Sequence, residues 1–356
     1  MDDTTAGIRR RRIGALVDLA RGRGLEIGPL SSAVAQRPEY DVRYVDAWSQ
    51  ADLRAHYAQD PNVVGEDIPA MDFILIQPDR TLGLAEAVGR DAPYAWVVAS
   101  HVIEHVPDVI GWLGDIASVL ADDGELVLAI PDRRFCFDAR RQATSVGQMI
   151  HAHDLRSTVP SVRAVFDHFR EAVSVTSAGL WRGATVDESA RIHGLEQTLE
   201  LTEQARSGQY IDCHVWTFTP ESFCAQVLEL GRLELTDIVL HHLVPTSPDE
   251  LEFYAILRRL PRGLDRVEAQ ARVETGGAAV AALASPESLR AATGHGVDED
   301  ELRAQAEALT SASARCMELE AELAAVKTSE RWRVGGTLVG PAARLLAALQ
   351  GRRGQA

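Results

Sequence analysis

The chain has no CxxC pairing, no excess of basic residues, no glycine triplet, and no run of about twenty consecutive apolar residues. Each absence excludes something. The four cysteines, Cys136, Cys213, Cys224 and Cys316, lie far apart, which rules out a cysteine-only zinc module and points to reduced, structural thiols in a cytoplasmic protein. With 36 Lys+Arg against 52 Asp+Glu the formal net charge is −16, so the basic face of a general nucleic-acid binder is not expected. Arg9 to Arg12 are not followed by the apolar run of a signal peptide, and the bulk of the chain reads as soluble.

What is present is ordinary in composition, 46% hydrophobic and 25% charged, and 356 residues suffice for one large domain with an appendage. From about Arg10 to Arg259, strand-like and helix-like segments alternate, the pattern of a parallel α/β sheet. Strands are predicted at Leu25–Gly28, Val42–Asp46, Tyr94–Ser100, Glu125–Ile130, Glu234–His241 and Leu251–Arg258. A helix is predicted over Val109–Leu120, closing on the Asp122-Asp123-Gly124 turn. Another starts at Thr219-Pro220-Glu221-Ser222, with a threonine cap and a proline in the first turn.

The stretch from Asp132 to His214 is too long for a connecting loop and reads as a helical insertion, a substrate lid beside the carboxyl end of a strand. Residues 260–298, rich in Ala, Gly, Glu and Ser, read as a partly helical linker. Leu302, Leu309, Cys316 and Leu323 recur at heptad spacing with Leu319 and Val326 beside them, which predicts a short coiled coil over 299–328. The last segment, 329–356, mixes Arg331, Trp332, Arg333 and Arg352 with leucines and suits a membrane surface or a docked partner.

The most informative segment is Leu25-Glu26-Ile27-Gly28-Pro29-Leu30-Ser31-Ser32, predicted as a strand ending in an acid and a glycine, a turn and a helix start. A glycine there lets a nucleotide-like ligand approach the backbone, and the acid can receive hydroxyls or an ammonium group. Val42-Arg43-Tyr44-Val45-Asp46 then places a second carboxylate where ribose hydroxyls sit in a doubly wound sheet. Two further segments run from Trp96 through His101-Val102-Ile103-Glu104-His105 to Asp108, and from Val119 through Gly124 to Pro131.

Together these segments, with His214 to Phe223, resemble the class I S-adenosylmethionine-dependent methyltransferases over residues 10–259. The resemblance implies a Rossmann-like, seven-stranded α/β sheet with helices on both faces, a helical lid insertion and a helical C-terminal tail. It also implies S-adenosylmethionine as cofactor, with Glu26, Gly28 and Pro29 at its methionine end and Asp46 at its ribose. Asp67 is expected toward the adenine, and Ser100 and His101 line the fourth strand's end. Pro29 and Ser31 replace glycines of the strict turn, which makes the cradle tighter than the commonest version.

Other readings compete for the same residues. His101-Val102-Ile103-Glu104-His105 fits the H-x-x-E-H pattern of inverted zinc peptidases, but it follows an apolar run and stops at Pro107, as a strand end and loop would. Glu104 and His105 are therefore expected to brace the loop, and no metal is expected. A nicotinamide dehydrogenase would share the first strand and the ribose acid but keeps more of the glycine triplet. A scaffold with a decayed pocket, acting through its coiled coil, is the non-enzyme alternative.

For methyl transfer the first choice of general base is His101, followed by His153 and Asp132. Arg133, Arg134 and His214 are candidate substrate contacts, since arginine forks suit phosphate or carboxylate groups. The opposing reading is a set of Asp–Arg pairs that fasten the lid. The Ser329 to Arg333 run is similar to tails on cell-envelope glycosyltransferases and fused methyltransferases. That similarity implies a small-molecule or glycan acceptor in surface-polysaccharide or sugar-precursor synthesis. It also implies a homo-oligomer or glycosyltransferase partner through the coiled coil, and peripheral contact with the inner membrane face.

Overall fold

A computed structural model describes residues 5–283. The first half contains α1 (Thr5–Leu16), β1 (Gly24–Ile27), β2 (Val42–Asp46), α2 (Gln50–His56), β3 (Phe73–Ile74), α3 (Leu84–Val88), β4 (Tyr94–Ser100), α4 (Val109–Val119) and β5 (Leu120–Pro131). The insertion adds α5 (Val146–Asp154), α6 (Val162–Glu171), α7 (Ser177–Trp181) and α8 (Leu195–Arg206). The chain then returns through α9 (Pro220–Arg232), β6 (Ile238–Val244), β7 (Glu252–Arg259) and α10 (Arg266–Leu283).

The strands form one seven-stranded sheet in the order β3-β2-β1-β4-β5-β7-β6. β1 to β5 pair in parallel, and β7 runs antiparallel to both β5 and β6. Strand order reverses between β1 and β4, so the crevice for a ligand opens beyond their carboxyl ends. Alternating side chains sort the core into two layers. Leu25, Ile27, Val97, Ala99, Leu126 and Leu128 pack with α4 and α9 through Leu113, Ile116, Phe223 and Val227. Trp96, Val98, Val127 and Ala129 face the other way, against Ile13, Val17 and Ala33 to Ala35.

Caps fix the helices that border the site. Asp108 accepts the Gly111 N–H at 2.9 Å to start α4. Thr219 and Ser222 bond reciprocally ahead of α9, with Pro220 in its first turn, as the sequence predicts. The helical insertion is also as expected.

Three features differ from expectation. No helix follows β1: residues 28–41 form turns. The backbone there is satisfied by side chains, with Val34 and Ala35 donating to Glu26, and Arg10 and Tyr44 donating to the Ala33 and Ala35 carbonyls. β3 is not among the predicted strands; at two residues it is too short for any periodicity. The Asp122-Asp123-Gly124 turn lies within the span of β5, where the pairing register with β4 skips, and not at a helix end. Within the stretch read as a partly helical linker, Arg266–Leu283 is α10.

α10 docks through Val273, 5% exposed, onto Val239 and Leu260. Gly231 permits this approach, because a Cβ there would lie 2.9 Å from a Val273 methyl. The predicted coiled coil over 299–328 and the tail over 329–356 lie outside the described residues. Val273→Asp would bury an unpaired carboxylate and is expected to cost about 3 kcal/mol in urea unfolding. Val267→Asp on the same helix, at a site 79% exposed, should stay within about 0.5 kcal/mol of the parent.

Candidate functional site

The crevice is built from four strand ends. After β1 the chain turns at Gly28, whose φ is 62° and whose absent Cβ would sit 3.2 Å from a Val102 methyl. The turn continues through Pro29 to Leu30, also left-handed at φ 42°. Glu26 stands just before it, 2% exposed, with its carboxylate oxygens accepting the Val34 and Ala35 N–H groups at 2.7 and 2.9 Å. Burial pushes its carboxyl up to about 7, against the opposing pull of those two amides. Glu26 therefore shapes the loop around the crevice, with both oxygens spent on backbone.

Asp46 closes β2. Burial raises its carboxyl, and its hydrogen-bond donors are the backbone N–H groups of Trp48 and Ala47. Asp67 is exposed in a single 3-10 turn ahead of β3, whereas ligand groups gather after a strand's carboxyl end. At the end of β4 the Ser100 hydroxyl is buried without a hydrogen-bond partner.

His101 adopts φ 54° and turns toward β7. Its Nε2 lies 2.6 Å from Glu252 Oε2, while Arg9 from α1 forks onto the same carboxylate at 2.6 and 3.0 Å. The Tyr254 hydroxyl donates to the other oxygen at 2.6 Å. Although burial alone would raise it, the His101 and Arg9 hydrogen bonds hold the Glu252 carboxyl far below its usual range. The Nε2 of the first-choice base is thus committed to Glu252, and its other ring nitrogen, Nδ1, lies 3.6 Å from the buried Glu104 carboxylate.

The residues after β5 are equally occupied. Asp132 is fully buried and accepts from the Arg134 guanidinium at 2.6 Å and from the Thr246 hydroxyl at 2.8 Å. Arg133 donates to the Arg141 carbonyl at 2.6 Å. Arg134 folds back on Asp132, so the lid-fastening reading of the Asp–Arg pairs holds for it. His214 is 6% exposed, with Nδ1 2.6 Å from Asp138. His153, on α5, is different: its Nδ1 meets Asp108 at 3.0 Å and its side chain is 38% exposed.

A family model described as a methyltransferase domain matches residues 10–231, more than half of the 356-residue chain. The chain belongs to this methyltransferase family. None of the curated proteins matches it. Solved structures similar to it include a Rhodobacter sphaeroides protein named as a zinc-dependent alcohol dehydrogenase (13% identity, TM-score 0.37, covering 70% of this chain and 89% of that one). Others are the N-methyltransferase NodS of Bradyrhizobium japonicum WM9 (13%, 0.31, 73% and 99%) and an S-adenosylmethionine-dependent methyltransferase of Mesorhizobium loti (12%, 0.37, 72% and 99%). At these scores the likenesses carry no argument about chemistry.

The methyltransferase uses S-adenosylmethionine as its methyl donor, and its strand ends fit that molecule. Gly28 leaves room for close approach, the buried Asp46 carboxylate can accept ribose hydroxyls, and the Ser100 hydroxyl at the end of β4 is a buried polar group without a partner. Sequence reasoning missed Arg9, Glu252 and Tyr254, which hold His101, because no local motif links them. It also missed Tyr57, whose half-buried hydroxyl is raised by burial and by the nearby carboxylates of Asp212 and Asp46. A tyrosine at the end of the first helix after the ribose acid was the available signal.

Asp46→Ala should weaken S-adenosylmethionine binding at least about tenfold in calorimetry, the loss of one charge-assisted hydrogen bond or more. Unchanged affinity would refute the ribose assignment. A carboxyl raised in the fold contributes stability that is complete below its unfolded value and lost as pH rises through about 7. The stability of the parent relative to Glu26→Gln should therefore decline between pH 5 and 8, by up to about 3 kcal/mol. A difference independent of pH would show that Glu26 is already ionised.

Proposed function

We propose that this methyltransferase acts on a small polar molecule or glycan precursor that enters beside the 132–214 insertion, in surface-polysaccharide or sugar-precursor synthesis. The observation that carries this reading is a cavity of about 330 Å³ in the insertion, lined by Arg140, Arg141, Gln148, Arg163, Asp167 and Glu171. That volume lies within the range of small-molecule sites. Its arginines pair internally, Arg140 with Glu171 and Arg163 with Asp167, both at 2.8 Å, so a polar neutral acceptor suits it better than a strongly anionic one. The formal charge of −16 also supports a small acceptor over nucleic acid.

When bound, S-adenosylmethionine supplies a methyl group already activated by its sulfonium, so the protein's part is alignment, exclusion of water and management of one acceptor proton. Glu26 holds the loop after β1 in place, Gly28 opens the approach, and Asp46 fixes the ribose. His153 becomes the base of choice. With Nδ1 directed at Asp108, its Nε2 is the ring nitrogen left to take a proton, on a side chain 38% exposed. Asp132 is excluded from that role by its burial against Arg134.

The test is transfer of labelled methyl from S-adenosylmethionine to a panel of sugars, nucleotide sugars, peptides and nucleic acids. Label on a sugar-class acceptor, with a fall of about 10²–10⁴ in kcat for His153→Ala and unchanged donor affinity, supports the reading. Label confined to peptide or nucleic acid would overturn the acceptor class, and unchanged kcat would overturn the base.

A further inference from the structure

One cluster next to the crevice has no part in donor binding. Glu104 and His105 follow β4 and His214 closes the insertion, and one metal-ligating atom from each lies within 4.8 Å of the others. Glu104 is 1% exposed, and neither of its carboxylate oxygens has a hydrogen-bond partner. Its nearest cationic or donor atoms are His101 Nδ1 at 3.6 Å and His214 Nε2 at 4.0 Å, both beyond hydrogen-bond distance. A buried carboxylate left in that state is costly, and a cation completes it.

The two imidazoles are oriented in the manner of metal ligands. His105 places Nδ1 3.0 Å from Asp212, and His214 places Nδ1 2.6 Å from Asp138, which is further neutralised by Arg141 at 2.9 Å. An Nδ1–H directed at a carboxylate leaves the Nε2 lone pair free and makes it a stronger ligand. The rings meet edge to face with centroids 4.8 Å apart, so both nitrogens border the same space as Glu104.

We propose that Glu104, His105 and His214 form a binding site for a divalent transition metal, with Asp212 and Asp138 as positioning residues. Two imidazoles and one carboxylate are a known zinc ligand set that leaves a fourth position open, and imidazole ligation disfavours magnesium and calcium. Bonds of about 2.0–2.2 Å place tetrahedral ligand atoms about 3.4 Å apart, so the 4.0 Å separation of Glu104 and His214 closes by small side-chain rotations. The H-x-x-E-H motif supplies two of the three ligands, Glu104 and His105. His101, the first histidine of the motif, is drawn to Glu252, and His214 takes the place it would have held. A metal here would pin the loop after β4 to the end of the insertion. Those segments already meet where the Glu104 carbonyl accepts the Val215 and Trp216 N–H groups at 2.7 and 3.1 Å.

The test uses the full chain, stripped of metal by chelation and titrated with Co²⁺ under visible absorption, then with Zn²⁺ in competition. One equivalent of Co²⁺ with visible ligand-field bands, displaced by Zn²⁺, is expected. Glu104→Gln and His214→Ala should abolish it. Asp212→Asn, at a side chain 61% exposed and so tolerant of change, should weaken it about 10–100-fold. No saturable binding, or binding that Glu104→Gln and Asp212→Asn leave unchanged, overturns the site and points to a metal-free cluster closed by imidazolium. Donor affinity, measured in parallel, judges the methyltransferase cradle separately.

Discussion

The Glu252 carboxylate is the tie on which the mouth of the sheet depends. Two elements distant in sequence and its own strand deliver donors to it: Arg9 from α1, His101 from the end of β4, and Tyr254 from β7. The group is almost wholly buried, so its charge persists only because all of these surround it. It seals one side of the crevice, sets the direction of the His101 ring, and holds α1 across the face that would otherwise lack a helix after β1. Loss of one partner would leave the remaining charges uncompensated in a low-dielectric site.

Glu26 performs a comparable task on the neighbouring strand, by a different means. It gathers backbone amides where Glu252 gathers side chains, and it does so without a cation in hydrogen-bond contact. Asp46 accepts the Trp48 and Ala47 N–H groups where β2 ends. Three acids near the carboxyl ends of the sheet thus have three settings: one ties elements together, one shapes a loop, and one closes a strand. Environment, and not residue type, separates them.

Much of the fold could be read from the residues alone. β4, β5 and β7 carry continuous apolar runs of the kind that strands buried on both faces require, β1 and β2 are short apolar segments broken by one charged residue, and the Thr219 cap announces α9. β3 has two residues and no pattern, and α10 begins in a stretch whose composition resembles a linker. In the candidate site, the positions that a strand end fixes by topology, those of Gly28, Asp46 and Ser100, could be read in advance. What long-range pairing decides could not. Glu252 lies 151 residues beyond His101, and Thr246 lies 114 beyond Asp132, so nothing in local spacing shows that either candidate base is already engaged.

The irregular loop after β1 has one more consequence. In dinucleotide enzymes the helix that starts at this point directs its positive end at a pyrophosphate. S-adenosylmethionine has no phosphate; its methionine end carries an ammonium and a carboxylate beside the sulfonium, so it does not call for that helix terminus. The turns after β1 direct the Val34 and Ala35 N–H groups onto the Glu26 carboxylate instead. The same missing helix that departs from the common pattern thus takes away the device by which dinucleotide enzymes hold a pyrophosphate.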